Sequence, residues 1–468
     1  MSASSSTIIS IREARQKRLK KKANLAGIVT EFSFPRKSAG TDYVSILKIV
    51  DESEMHEELS VHMFSDRIED LPLVQSYKDF IILYHVMIKE YENRPCAICN
   101  KQYSSYALFD VNSNTPNYTP YQASRGFVLL EQDTGYVPRM WQVSRYHDMG
   151  AESNTELKLL SLCFLGNSEY IVSMKNLAAN QHFDLICKVL HVQEASRNRW
   201  MFFVWDGNDA PPLSLDTKYK DSEIPLGIEP VPLARHIICQ FPCVGTVLRV
   251  TVDQGLKDIG LHFKGIGKWV KFRNIRCEEH SGLWHGLFLP SSRIRFLSEN
   301  DDSVLQCKRT IDERETMEEG FLPTWSTPLP NLTVVDYPSL PTSTLMDFLT
   351  NSEEVAIAGR CIVRVVAICP SVREICQLVG STEQKIRLTL EDPTARIHAH
   401  LCGRELTRFS TCCLSLDVLA SKMNELLGVP ANCEEEDNAA RKPPWIECCL
   451  KMTSSQEFFF CGTRLVVQ

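Results

Sequence analysis

Short runs of alternating apolar and polar residues recur along the chain, and period two of this kind predicts half-buried β-strands. A first set covers Leu25–Phe32, Tyr43–Val50, Leu59–Phe64, Phe80–Tyr91 and Tyr103–Phe109. A second covers Phe183–Gln193, Trp200–Trp205, Gly245–Val252, Trp269–Arg276 and Leu283–Phe288. In the third, Val355–Ile368 is followed by Lys385–Leu390 and Arg396–Leu401, which flank the turn Glu391-Asp392-Pro393-Thr394. The period then changes. Leu416, Leu419, Met423, Leu426 and Leu427 follow helical spacing behind Ser415 as N-cap, with Gly428 and Pro430 ending the helix. Trp445–Lys451 and Phe458–Val467 return to period two. Three strands, a helix and two strands is the order of an OB fold.

The same unit recurs. A strand runs into an acidic turn at Ile49-Val50-Asp51, at Val204-Trp205-Asp206-Gly207 and at Thr389-Leu390-Glu391-Asp392, each time at the second strand of its set. The predicted fold class is therefore all-β with peripheral helices, as three five-stranded Greek-key barrels in tandem. The expected limits are 8–150 and 155–300 for the first two barrels and 346–468 for the third. An acidic, then proline-rich, stretch at 301–345 reads as a linker.

Composition narrows the function. Of 468 residues, 44% are hydrophobic and 23% charged, so each unit can bury a core. The net charge of −7 disfavours nonspecific coating of a polyanion and requires local cationic stripes and stacking instead. The 18 cysteines form no regular framework and read as reduced thiols. Cys96-Ala97-Ile98-Cys99 is half of a zinc knuckle without its second half, so buried thiols compete with metal ligation, and no metal or other cofactor is called. No apolar run reaches the roughly 18 residues of a membrane span. The basic run from Arg15 to Lys22 fits a nuclear import signal, an electrostatic arm or a solvated helix face. No P-loop, GxSxG, dinucleotide fingerprint or HExxH occurs, so no catalytic residue is called and the chain is read as a binder.

Strand parity supplies candidates for binding. Leu59, Val61 and Met63 share one face, leaving His62 and Phe64 on the other. On Phe80–Tyr91, His85, Lys89 and Tyr91 share a parity opposite Ile82, Val86 and Ile88. Aromatics and cations on one face of a barrel suit stacked bases and phosphates. The competing reading of Phe64 is a strand-end residue turning under a loop. Trp269, Lys271 and Arg273 show the same alternation, which fits either a stacking platform or a core tryptophan with surface cations.

Gly40-Thr41-Asp42-Tyr43 with the strand ending Ile49-Val50-Asp51 and Phe64-Ser65 resembles the first OB fold of the protection-of-telomeres family. Phe202 to Pro211 resembles the second, and Arg387 to Ile397 with Pro444-Trp445-Ile446 the C-terminal part, in the forms plants carry. The resemblance implies that two N-terminal barrels grip the single-stranded G-rich overhang, in the nucleus at chromosome ends, and control telomerase access. It also implies that the C-terminal barrel engages telomere-capping proteins. The family's stacking aromatics fall on Phe64 and Tyr91, and its polar loop residues on Thr41 and Asp42. Where the family has an aromatic after the first strand this chain has Glu31, with Phe32 and Phe34 beside it, and Glu92 stands at a basic position. Those two acids and the acidic net charge favour the alternative, a scaffold of the telomerase ribonucleoprotein with weak DNA binding.

Overall fold

The computed structural model describes residues 7–16, 22–91, 93–149, 171–196, 199–213, 233–253, 263–280, 283–316, 324–325, 332–350, 357–372, 374–375, 385–410, 413, 415–429, 441–453 and 457–466. Glu92, most of the basic run, and Cys376, Cys412 and Cys433 lie outside them.

Three barrels follow one another. The first is built from β1 (Lys22–Phe32), β2 (Tyr43–Asp51), β3 (Glu54–Ser65), β4 (Phe80–Tyr91) and β5 (Arg94–Cys99). Their order around the sheet is β1-β2-β3-β5-β4, closed by β4 on β1. The antiparallel ladders are broken only by the parallel pair β3–β5. The fifth strand is thus Arg94–Cys99, not the expected Tyr103–Phe109. Residues Ser105–Phe109 (β6) instead pair with the N-terminal half of β4.

The second barrel repeats that order with β7 (His182–Ser196), β8 (Arg199–Trp205), β9 (Leu248–Asp253), β10 (Trp269–His280) and β11 (Leu283–Phe288), again with a parallel third–fifth pair. A further strand, β12 (Arg293–Phe296), pairs with β10 and reaches β1 through Ile294 and Phe32, joining both barrels in one sheet. The third barrel closes as β13 (Ile357–Cys369), β14 (Lys385–Glu391), β15 (Arg396–Cys402), β17 (Phe458–Phe460) and β16 (Trp445–Met452). The predicted helix spans Leu416–Leu426, with the Ser415 hydroxyl accepting from Val418 N at 3.3 Å.

The repeated acidic turn has a repeated task. Asp51 accepts from the backbone N–H of Ile11 (2.8 Å), the first residue of α1 (Ile11–Gln16). Asp206 accepts from Met174 N (2.9 Å), where a short 3₁₀ turn begins. Asp392 accepts from Leu345 N (2.7 Å), where the helix Leu345–Thr350 begins. Each carboxylate also accepts from its own turn, as from Ser53 N, Asn208 N and Thr394 N. In all three barrels the acid at the end of the second strand therefore satisfies an orphan amide of the segment leading into the barrel.

The stretch read as linker is partly ordered structure. Asp302–Asp312 is a helix capped by Asp301, whose buried Val304 packs with Ile186, Trp269 and Leu297. Gly207 (φ +90°) permits the turn after β8 to approach this helix, since a Cβ there would lie 3.0 Å from Ile311. Further on, Thr333–Val335 pairs antiparallel with Thr463–Leu465, and Leu345, Met346 and Phe348 are buried in the core.

Candidate nucleic-acid interface

On β3, Leu59, Val61 and Met63 are buried in the barrel, while Ser60, His62 and Phe64 are half-buried on its outer side. Register then places their neighbours. Arg36, Val44 and Phe64 lie in one cross-strand row, and Ile46, His62, Ile98 and Met87 in the next. A third row holds Lys48, Ser60, Cys96 and Lys89. Tyr91, 59% exposed at the end of β4, brings its ring to 5.9 Å from that of His62. Phe64, His62, Tyr91 and Lys89 thus share one face of the first barrel.

His85 sits apart. It is exposed, with φ +55°, at a bulge where its N–H donates to Asn24 Oδ1 (2.9 Å). The bulge reverses parity along β4. Ile81, Leu83, Val86 and Ile88 face the barrel interior, whereas Ile82 turns outward to a second core with Phe80, Phe109 and Val137. Ile82 therefore does not share a face with Val86 and Ile88, as strict alternation would have it. At about 3.3 Å per residue, His85 lies roughly 20 Å along the strand from Tyr91.

Thr41 is exposed in the loop before β2. Asp42 accepts from Lys101 Nζ (2.8 Å), which also reaches Asp66, and the Lys101 ammonium holds the Asp42 carboxyl below its ordinary range. This links the β1–β2 loop to the loop after β5.

Sequence reasoning missed two cations. Arg36 precedes the Thr41 loop and stands in the Phe64 row. Arg293 comes from the second barrel, one residue before the Ile294–Phe32 pairing. Burial lowers the His62 pKa, and Arg293 and Arg36 lower it further, so this imidazole is held neutral as an uncharged ring. The Arg36-Lys37 doublet beside the loop was the only trace of this in sequence.

The remaining candidates are structural. Phe32 is buried against Phe296, with ring centroids 5.4 Å apart. Phe34 enters the second barrel and packs on Phe288 (5.1 Å), Phe202 (5.6 Å) and Phe263 (6.1 Å). Neither ring is available to a base. Trp269 is buried beneath the helix that follows β12. Lys271 pairs with Asp184 at 3.3 Å, and Arg273 pairs with Glu31 at 2.5 Å and Asp184 at 3.4 Å.

Glu31 is the hub of this barrel–barrel contact. Wholly buried, it also meets Lys48 at 2.9 Å and Arg295 at 3.0 Å. Burial alone would raise its carboxyl, but Arg295, Lys48 and Arg273 overcome that and hold it at about 2. Beside the network lies a cleft of about 560 Å³, lined by Glu31, Lys48, His182, Asp184, Arg273 and Arg293 among others.

Cys96 and Cys99 both lie on β5, three residues apart, so their side chains leave opposite faces of the strand and do not chelate one ion together. Burial pushes the Cys99 thiol up to about 12. Among the described residues no group of three or more His, Cys, Asp or Glu has metal-binding geometry.

Two family models match the chain. One described as "Telomeric single stranded DNA binding POT1/CDC13" covers residues 2–153, and one described as "POT1A-like, OB fold domain" covers 328–457. The chain is 32% identical to Protection of telomeres protein 1b of Arabidopsis thaliana, over 91% of this chain and 89% of that one. It is 31% identical to Protection of telomeres protein 1a of the same plant, over 95% and 93%. Among solved structures it is similar to fission yeast Pot1 with ssDNA, at 16% identity and a TM-score of 0.27, over 66% of this chain and 94% of that one.

Proposed function

The chain belongs to the protection-of-telomeres family in its plant form, and from that premise we propose that it binds the G-rich single-stranded overhang of telomeres with the outer face of its first barrel. Bound there, in the nucleus, it protects the 3′ end and governs the access of telomerase. It acts by binding and not by turnover.

One observation carries this reading. His62, Phe64 and Tyr91 share a face outside the core, with Arg36 in the Phe64 row and Lys89 in the row on the other side of His62. Bases stack on such rings whatever their sequence, and the cations take the phosphates. Each stacked base is worth about 1–3 kcal/mol by alanine substitution. Phe64→Ala is therefore expected to weaken binding of a G-rich single strand by about 5- to 150-fold in fluorescence anisotropy. Tyr91→Ala is expected to act in the same direction. The salt dependence should be shallow, because few phosphates are neutralised. Unchanged affinity in both variants would move a different reading ahead, that of a telomerase-ribonucleoprotein scaffold. The net charge of −7 and the commitment of Lys271 and Arg273 to ion pairs favour that second reading. A telomere-capping protein docked on the third barrel is compatible with both.

A further inference from the structure

The third barrel carries on its outer surface the same kind of platform as the first. Phe458 and Phe460 are buried in the core, so Phe459 between them is turned outward and is only half-buried. On β15, Ile397, Ala399 and Leu401 face inward and His398 and His400 outward. Register aligns the outward residues into one row across four strands: Arg387 on β14, His400 on β15, Phe459 on β17 and Lys451 on β16. The rings of His400 and Phe459 are 5.7 Å apart, and Lys385 Nζ stands 6.0 Å from the Phe459 ring centre. Lys385 and Lys451 are exposed. Among the described residues Glu457 stands 3.9 Å from Lys385, at a half-exposed site where pairing is weak.

In the second barrel an outward row runs Phe203, Arg249, His285 and Glu278. Arg249 there is buried and donates to Pro393 O of the third barrel at 3.2 Å. That row is covered by its neighbour, whereas Lys385 and Lys451 beside the third-barrel row are exposed.

We infer that the Arg387–His400–Phe459–Lys451 row is a second binding site for single-stranded nucleic acid, in which one base stacks on Phe459 and the flanking cations hold its phosphates. An aromatic flanked by four basic side chains matches the chemistry of a base and its phosphodiesters. DNA and RNA share that chemistry. The site does not depend on the first barrel reading DNA.

The test uses the full-length chain and fluorescent single strands long enough to span both barrels, in matched deoxy and ribo forms. Phe459→Ala is expected to weaken binding of at least one form by about 5- to 150-fold. Lys451→Glu, at an exposed position that the fold does not need, should weaken it too and make the logarithmic salt slope shallower by about 0.7 per cation lost. The matched forms decide whether DNA or RNA is the ligand. Loss with Phe64→Ala but none with Phe459→Ala or Lys451→Glu overturns this inference and leaves the first-barrel reading standing. Loss with the two third-barrel variants but none with Phe64→Ala supports this inference and removes the other.

Discussion

Phe34 and Phe64 belong to the same barrel and do opposite work. Phe64 is half-buried outside the barrel core, so truncating it should cost only about 1 kcal/mol of stability. Phe34 is buried among three phenylalanines of the second barrel. Phe34→Ala is expected to cost about 3–5 kcal/mol, read as a lower urea midpoint, because it leaves a cavity where two barrels meet. Equal midpoints for Phe34→Ala and Phe64→Ala would show that the ring does not hold the barrels together. The sequence exposed one of these roles and hid the other. Alternation along Leu59–Phe64 placed Phe64 outside the barrel by local pattern alone. Phe34 is distinguished only by partners at positions 202, 263 and 288, which no local pattern announces.

Among elements, charge was harder to read than apolar periodicity. Trp269–Arg276 does alternate, but what faces its cations comes from β1 and β7. Lys271 and Arg273 therefore look like a nucleic-acid stripe in sequence and are half of a buried ion network in the fold. Glu31 completes it. Its carboxyl is held at about 2 against an ordinary value of 4.5. A depressed carboxyl stabilises the fold fully above the unfolded value and loses that contribution as pH falls through the folded one. Glu31→Gln should thus lower stability by about 3 kcal/mol at neutral pH, the size of a broken buried pair. The gap between the variant and the parent should close between pH 4.5 and about 2. Thermal unfolding across that range checks it, and a gap that does not change with pH would mean that the Glu31 charge is not what joins the barrels. The acidic turns were more legible. Asp51, Asp206 and Asp392 recur at one register position in sequence, and the structure gives that position a shared role.

At the scale of the molecule, three barrels were visible because each is a closed run of period-two strands, while the joints between them were not. Composition made 301–345 look like a spacer, yet part of it builds the third barrel. Thr333–Val335 pairs with Thr463–Leu465, the Thr333 hydroxyl donates to Glu447 O at 2.7 Å, and Leu332 is buried. Asp336 pairs with Arg464 at 2.8 Å and Arg408 at 2.9 Å. A fragment beginning at 346 lacks all of these contacts and also Leu345, whose amide Asp392 satisfies. It exposes the edge of Thr463–Leu465 as an unpaired strand, which invites aggregation. A fragment beginning at 328 keeps them. Both lose the contacts with the second barrel, where Arg364 donates to Ala210 O (2.8 Å), Trp445 Nε1 to Asp209 (3.0 Å), and Arg249 to Pro393 O (3.2 Å). Arg364 keeps Glu391, itself flanked by Arg396, so its charge stays paired without the neighbour. The 328–468 fragment is accordingly expected to be a soluble monomer with a cooperative unfolding transition, and the 346–468 fragment to aggregate or unfold without one. Circular dichroism melts and size-exclusion chromatography of the two fragments decide it. Equal behaviour would mean that the segment before 346 only lies on a barrel already complete without it.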